Sequence, residues 1–384
     1  MPARTEPPQG GSTQGLPDLT LFLCGDVMTG RGIDQILPHP SDPRLFEPHV
    51  RSAMEYVELA RAAGGAVDRP VDFAYVWGDA LEELERVRPQ ARIVNLETAV
   101  TTSDDAWPGK GIHYRMHPGN LPCLAAAKLD CCVLANNHVL DWGRRGLAET
   151  VRTLAAAGIR TAGAGQDLAH ASAPAVIEIP GGQRLLVFAF ALETSGVPSS
   201  WGAAPRRPGV NLLPDVSPQS VDAVARRIAE HRRDGDIVIA SLHWGPNWGF
   251  GVAAEERKFA HALLDVAGVQ VIHGHSSHHA RGIEVHRDKL ILYGCGDLLN
   301  DYEGIGGYRS FRGELALMYF PTLSAVDGRL TRLSMTPTRT SHLRINRASP
   351  EDAQWLCTTL NREGRLLGSD VVLEPPGTLQ LHWA

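Results

Sequence analysis

The sequence predicts an α/β fold, and three observations carry that prediction. Short, continuous apolar runs recur along the chain, as expected of strands buried on both faces. Amphipathic stretches that stop at glycine lie between them. The two kinds alternate in strand–helix–strand order, which implies a largely parallel sheet covered by helices. The strand candidates are 19–24, 92–95, 131–135, 185–191, 236–242, 269–272 and 289–293. The helix candidates are 78–87, 146–157, 217–232 and 253–266, two of them ending at Gly158 and Gly268. Residues 1–18 are rich in Pro, Gly, Gln and Ser without apolar periodicity and read as a disordered tail. Residues 19–320 form the main domain. Residues 321–384, with a strand-like segment at 329–335 and a helix-like one at 350–362, are expected to pack on it as a C-terminal extension.

Composition narrows the function. The 384 residues are 43% hydrophobic and 21% charged, ordinary for a globular enzyme. A net charge of −6 argues against a nucleic-acid partner, which would call for a basic excess. The longest clean apolar run, Leu185 to Leu192, is far short of a membrane span, and the N-terminus has no hydrophobic signal core. A cytoplasmic protein without a membrane partner is expected. The six cysteines form no CxxC pair and suit a reduced compartment as small apolar packers.

The positions of the polar residues are more informative. Asp26 follows the first strand in CGDVMTGR, and Glu97 follows RIVN in NLET. Asn136, Asn137 and His138 follow CCVLA, His243 follows DIVIASL, and His273, His275, His278 and His279 follow VQVI. Five strands thus release an acid, amide or imidazole at their C-terminal ends, the edge where open α/β sheets bind ligands. Carboxylate, amide oxygen and neutral imidazole suit one or two divalent ions, Mn, Fe or Zn. Taken singly, GDVMTGR and NLE are compatible with caps and turns, and HWG with a packed histidine; their joint placement points to a metal site. No GxxxxGK loop, strand-linked GxGxxG or GxSxG elbow is present.

GDVMTGR, NLET, ANNHVLDWG with TLAAAGIRTAGAG downstream, HWG, HGHSSHH and YGCGDLLNDYE occur in that order between Leu19 and Tyr319. This ordered set resembles the CapA-type poly-γ-glutamate capsule biosynthesis proteins of the calcineurin-like metallophosphoesterase superfamily. The resemblance implies a four-layer α/β/β/α sandwich with mixed sheets. It implies Asp26, Glu97, Asn137, His243, His275 and His278 as metal ligands and His138 as the group that meets the leaving oxygen. Met28 stands where the superfamily has a histidine, Asn247 where the family often has Glu, and only His278 keeps the register of the last motif.

A metal-dependent hydrolase is therefore expected, with a metal-activated water attacking a phosphoester or a γ-glutamyl-type amide of a small-molecule or polymer substrate. Arg31, Asn136 and Trp244 are candidate substrate contacts, and Trp248 a further cleft residue. The alternative is a non-catalytic accessory role in polymer synthesis. A sugar- or peptide-binding module would need an aromatic-lined groove, for which an aromatic content of 6% gives little support.

Overall fold

A computed structural model describes residues 18–383. The tail expected over 1–18 lies outside the described residues except for Asp18. Every predicted strand and helix is present within a few residues of its expected ends, except that the strand expected at 329–335 runs on to Ser341. The arrangement is mixed rather than largely parallel, because the predicted strands divide between two main sheets that each combine parallel and antiparallel pairs.

The first sheet runs in the order Ser369–Glu374, Thr378–Trp383, Leu330–Ser341, Leu315–Leu323, Leu19–Val27, Ala91–Leu96, Cys131–Val133, Arg160–Ala162. Its members from Leu19–Val27 onward are parallel, and Leu315–Leu323 pairs antiparallel with Leu19–Val27. The short strand Asp297–Leu299 adds to the end of Leu19–Val27 in parallel. The second sheet runs Ile283–His286, Lys289–Leu292, Val271–His275, Ile237–His243, Arg184–Ala191, Ala175–Glu178, with its four middle strands parallel.

Alternation within the strand RLLVFAFA shows why such runs are continuously apolar. Leu186, Phe188 and Phe190 pack with Val221, Val224 and Ile228 of helix Pro218–Ala229 and Phe259, Leu263 and Leu264 of helix Ala254–Asp265. Leu185, Val187 and Ala189 join the other core, shared with Leu21, Leu23 and Val94 of the first sheet. Both faces are buried, so neither tolerates a polar residue. Helix Pro218–Ala229 starts where SPQS predicts: Ser217 Oγ accepts from the Ser220 amide at 3.3 Å, with proline in the first turn.

The boundary expected at 320/321 falls inside the strand Leu315–Leu323, and four further strands from 330–383 belong to the first sheet, Arg344–Arg347 pairing with Leu330–Ser341. Glu83, on helix Asp79–Val87, ties the C-terminal strands to the rest, accepting from Thr336 at 2.5 Å and Arg347 at 2.7 Å. All six cysteines are buried free thiols. Among the described residues, no helix is long and apolar enough to cross a membrane.

Candidate metal centre

Parallel strands bring their C-terminal ends to one edge, and the polar residues collect there. Asp26 lies near the end of Leu19–Val27, Glu97 just after Ala91–Leu96, and Asn137 and His138 after Cys131–Val133. His243 and His275 end neighbouring strands of the second sheet, where they are register partners. Ligand atoms of Asp26, His243 and His275 lie within 4.8 Å of one another, and so do those of Asp26, His278 and Asp297. All five residues are buried, and Asp26 belongs to both groups.

The second group includes an acid the sequence reading left unassigned. Cys24-Gly25-Asp26 and Cys295-Gly296-Asp297 are the same tripeptide, and the two lie side by side in parallel register. The Asp26 amide donates to the Gly296 carbonyl at 2.9 Å. A Cβ on Gly25 would sit 1.7 Å from that oxygen, so only glycine permits the approach that sets Asp26 beside Asp297. The repeated tripeptide was the available signal.

Neighbouring groups aim these side chains. Asn95 Nδ2 donates to Asp26 Oδ1 at 2.7 Å and to Glu97 Oε2 at 3.2 Å, joining the two carboxylates. Asn137 Oδ1 is 3.2 Å from His243 Nε2. His243 Nδ1 faces His275 Nδ1 at 2.7 Å, and His275 Nε2 is held by Ser241 Oγ at 2.8 Å. His278 Nδ1 is 2.9 Å from Asp297 Oδ1. Asp26 Oδ2 is buried without a hydrogen-bond partner.

Electrostatics follows from that enclosure. Burial first, then the Asp297 charge, pushes the Asp26 carboxyl well above the usual carboxylate range. Burial and Asp26 do the same to Glu97. Burial holds His243 and His275 far below the ordinary histidine value, so they stay neutral with a lone pair to offer. Burial opposes the charge on His278, yet the Asp297 and Asp26 carboxylates hold it above its ordinary value. Clustered carboxylates, an orphaned carboxylate oxygen and neutral imidazoles are a donor set that a divalent cation fits.

His138 stands beside this cluster. Its Nε2 is 3.7 Å from Glu97 Oε1, and its Nδ1 is 2.6 Å from Asp141 Oδ2. Asp141 also accepts from the Tyr114 amide at 2.7 Å and from Lys110, whose Nζ lies 3.1 Å from His138 Nδ1. Burial lowers His138 to about 4 despite the Asp141 charge. Asp141 therefore orients the ring.

Other expected residues have different positions. Asn136 is buried with its amide spent internally, donating to Asn95 at 3.0 Å and accepting from the His138 and Val139 amides, so it shapes the turn and offers nothing to a substrate. Arg31 is buried. It pairs with Glu47 and Asp301 and stacks over Tyr56, so its charge is already met. Trp244 lies in the helix-covered core, stacked on Tyr293 with Nε1 donating to its carbonyl at 3.0 Å, and is no cleft residue. His273 points between the sheets to the Cys24 carbonyl at 2.7 Å, and His279 packs among Phe250, Phe311 and Trp248. Trp248 does face a cavity of about 400 Å³ that opens beside His278.

A mixed α/β chain of two sheets, with carboxylates and imidazoles gathered at its strand ends, defines the class. Residues 20–302 match the family described as bacterial capsule synthesis protein PGA_cap, and the chain belongs to that family. Over 369 residues it is 47% identical to a "Probable polyglutamine synthesis accessory protein" of Mycobacterium tuberculosis, covering 96% of this chain and 97% of the relative. It is 25% identical over 285 residues to the PGA biosynthesis protein CapA of Bacillus subtilis, covering 74% of this chain and 63% of that one. The capsule biosynthesis protein CapA of Bacillus anthracis matches at 23% over 284 residues, covering 74% of this chain and 60% of that one.

Proposed function

We propose that the chain is a metal-dependent hydrolase of the CapA type, built as a four-layer α/β/β/α sandwich with its centre at the shared strand edge. Asp26, His243 and His275, with Asn137, would hold one cation. Asp26, His278 and Asp297 would hold a second, with Glu97 close to both carboxylate groups. The observation that carries this reading is the membership of Asp26 in both three-residue groups while one of its buried oxygens has no other partner. A divalent ion, when bound, supplies Lewis-acid charge and acidifies water near a phosphoryl or acyl oxygen. The chain's own contribution is orientation. His138, fixed by Nδ1 against Asp141, presents the Nε2 lone pair of a neutral ring toward the centre, where it would take up a proton and pass it to the departing oxygen of a phosphoester or γ-glutamyl-type amide. The enclosing walls keep bulk water from screening these charges.

A second reading has support in a relative's name, which says polyglutamine synthesis accessory protein: an accessory role in polymer synthesis without turnover, the centre serving to hold the two sheets together. Met28, buried where the superfamily has a histidine ligand, favours it. One experiment separates the two. The purified protein is assayed for bound metal and for Mn²⁺-dependent cleavage of a chromogenic phosphodiester, alongside Asp26→Ala. The hydrolase reading requires metal and turnover in the parent and loss of both in the variant; metal without turnover of any phosphoester or γ-glutamyl amide supports the accessory role.

A further inference from the structure

The cavity beside His278 is walled on one side by an aromatic stack that the centre does not use. Trp248 lies 5.4 Å from the His278 ring, and the His278 amide donates to the Asn247 carbonyl at 3.0 Å, so Trp248 is fixed next to the metal cluster. Near the indole are His279, at 6.1 Å and 15°, and Phe311 at 5.6 Å. Tyr308 lies against it at 4.3 Å and only 7° from parallel. The two partners differ in burial. His279 is 1% exposed, whereas Tyr308 is 61% exposed at a positive φ, on a loop whose Gly304 and Gly307 also take positive φ. Tyr308 is the ring that can leave, and its pose shows the shape of what fits there: a flat six-membered ring stacked parallel on indole.

The charges in the wall argue for a neutral group. Arg31 is matched by Glu47 and Asp301, and Arg312 holds Glu314 at 2.8 Å. Glu303 accepts from Ser341 and the Leu343 amide. Among the described residues, that leaves Arg309 as the lining cation without a carboxylate within 4.0 Å, too little for a track that follows a polyanion.

We infer that this cavity binds a planar aromatic ring attached to the reacting group, which stacks on the Trp248 face that Tyr308 covers in the free protein. Trp248 is then the specificity-determining residue and Tyr308 its internal competitor. The inference rests on the hydrolase reading for the reacting group but not for the ring.

The test uses phosphonates, whose P–C bond is not cleaved by phosphoester hydrolysis. Phenyl-, cyclohexyl- and methylphosphonate are titrated calorimetrically into the full chain with Mn²⁺. The expected result is phenylphosphonate binding about tenfold or more tightly than the other two, the range that stacking on an aromatic side chain provides. Trp248→Ala erases that preference, and Tyr308→Ala increases it by removing the competitor. Opposite signs in the two variants exclude general damage to the loop. Failure of phenylphosphonate to bind, equal binding of phenyl- and cyclohexylphosphonate, or an unchanged ratio in Trp248→Ala overturns the inference. The methylphosphonate affinity reports the metal centre separately. If it is absent while phenylphosphonate binds through Trp248, the ring site stands and the hydrolase reading falls.

Discussion

Asp26 and Asp297 are register partners on adjacent parallel strands, and both carboxylates are buried. Two buried acids side by side repel each other unless protons or a cation neutralise them. Burial and this neighbour raise the Asp26 carboxyl, so its ionised form is disfavoured until a cation sits beside it.

The first prediction concerns Asp297. Asp297→Ala removes one of three groups around the second ion and leaves the Asp26, His243 and His275 group in place. Bound Mn²⁺ is expected to fall by about one ion per chain, or its affinity by 10–100-fold, the range that weakened metal shells show. Elemental analysis after dialysis checks this; unchanged stoichiometry and affinity would remove Asp297 from the centre.

Asp141 touches no proposed metal group, but it holds His138 Nδ1 at 2.6 Å. In Asp141→Asn the metal content should stay constant while kcat drops on the order of 10²-fold, because the ring loses the partner that fixes its orientation. KM should change little. Loss of metal in this variant would instead assign Asp141 to supporting the ligands.

Trp244→Ala should cost about 3–5 kcal/mol of stability, since it empties a fully packed site between Tyr293 and Phe259. Denaturant unfolding gives the value. At a temperature where the variant is folded, KM should match the parent; a raised KM would put Trp244 back in the cleft.

Glu83 provides a pH test far from the centre. Burial works against its charge, but hydrogen bonds from Arg86, Thr336 and Arg347 outweigh it and lower the carboxyl to about 2. A lowered folded-state pKa means the unfolded chain binds the extra proton, so this stability is present above about pH 4.5 and lost as pH falls toward 2. Glu83→Gln should destabilise the protein by about 2 kcal/mol at pH 7 and progressively less below pH 4.5. A pH-independent difference between variant and parent would count against the ionised form.

The centre was legible because its ligands follow strands. Apolar runs fixed where the strands lie, and residues just past a run, such as Asp26, His243 and His275, inherit a predictable position. Asp297 escaped because its strand, Asp297–Leu299, is three residues long and gives no apolar run of its own. Arg31 could be read as a candidate substrate contact because nothing local says that Glu47, Tyr56 and Asp301 will close around it. Trp244 and Trp248 sit four positions apart in one motif, yet one enters the helix-covered core and the other a cavity.

Periodicity and strand-end chemistry in the sequence determined the α/β class, the order of elements and the set of imidazoles and acids at one edge. Local pattern carries these because side-chain direction along a strand depends only on the residues within it. Tertiary structure alone decided that these strands divide between two mixed sheets, that 330–383 completes the first of them, and that Asp297 stands beside Asp26 while Arg31 closes against Glu47 and Asp301. Those outcomes depend on contacts between residues about 300 positions apart, whose pairing is set by packing across the whole core and leaves no mark in any short window of sequence.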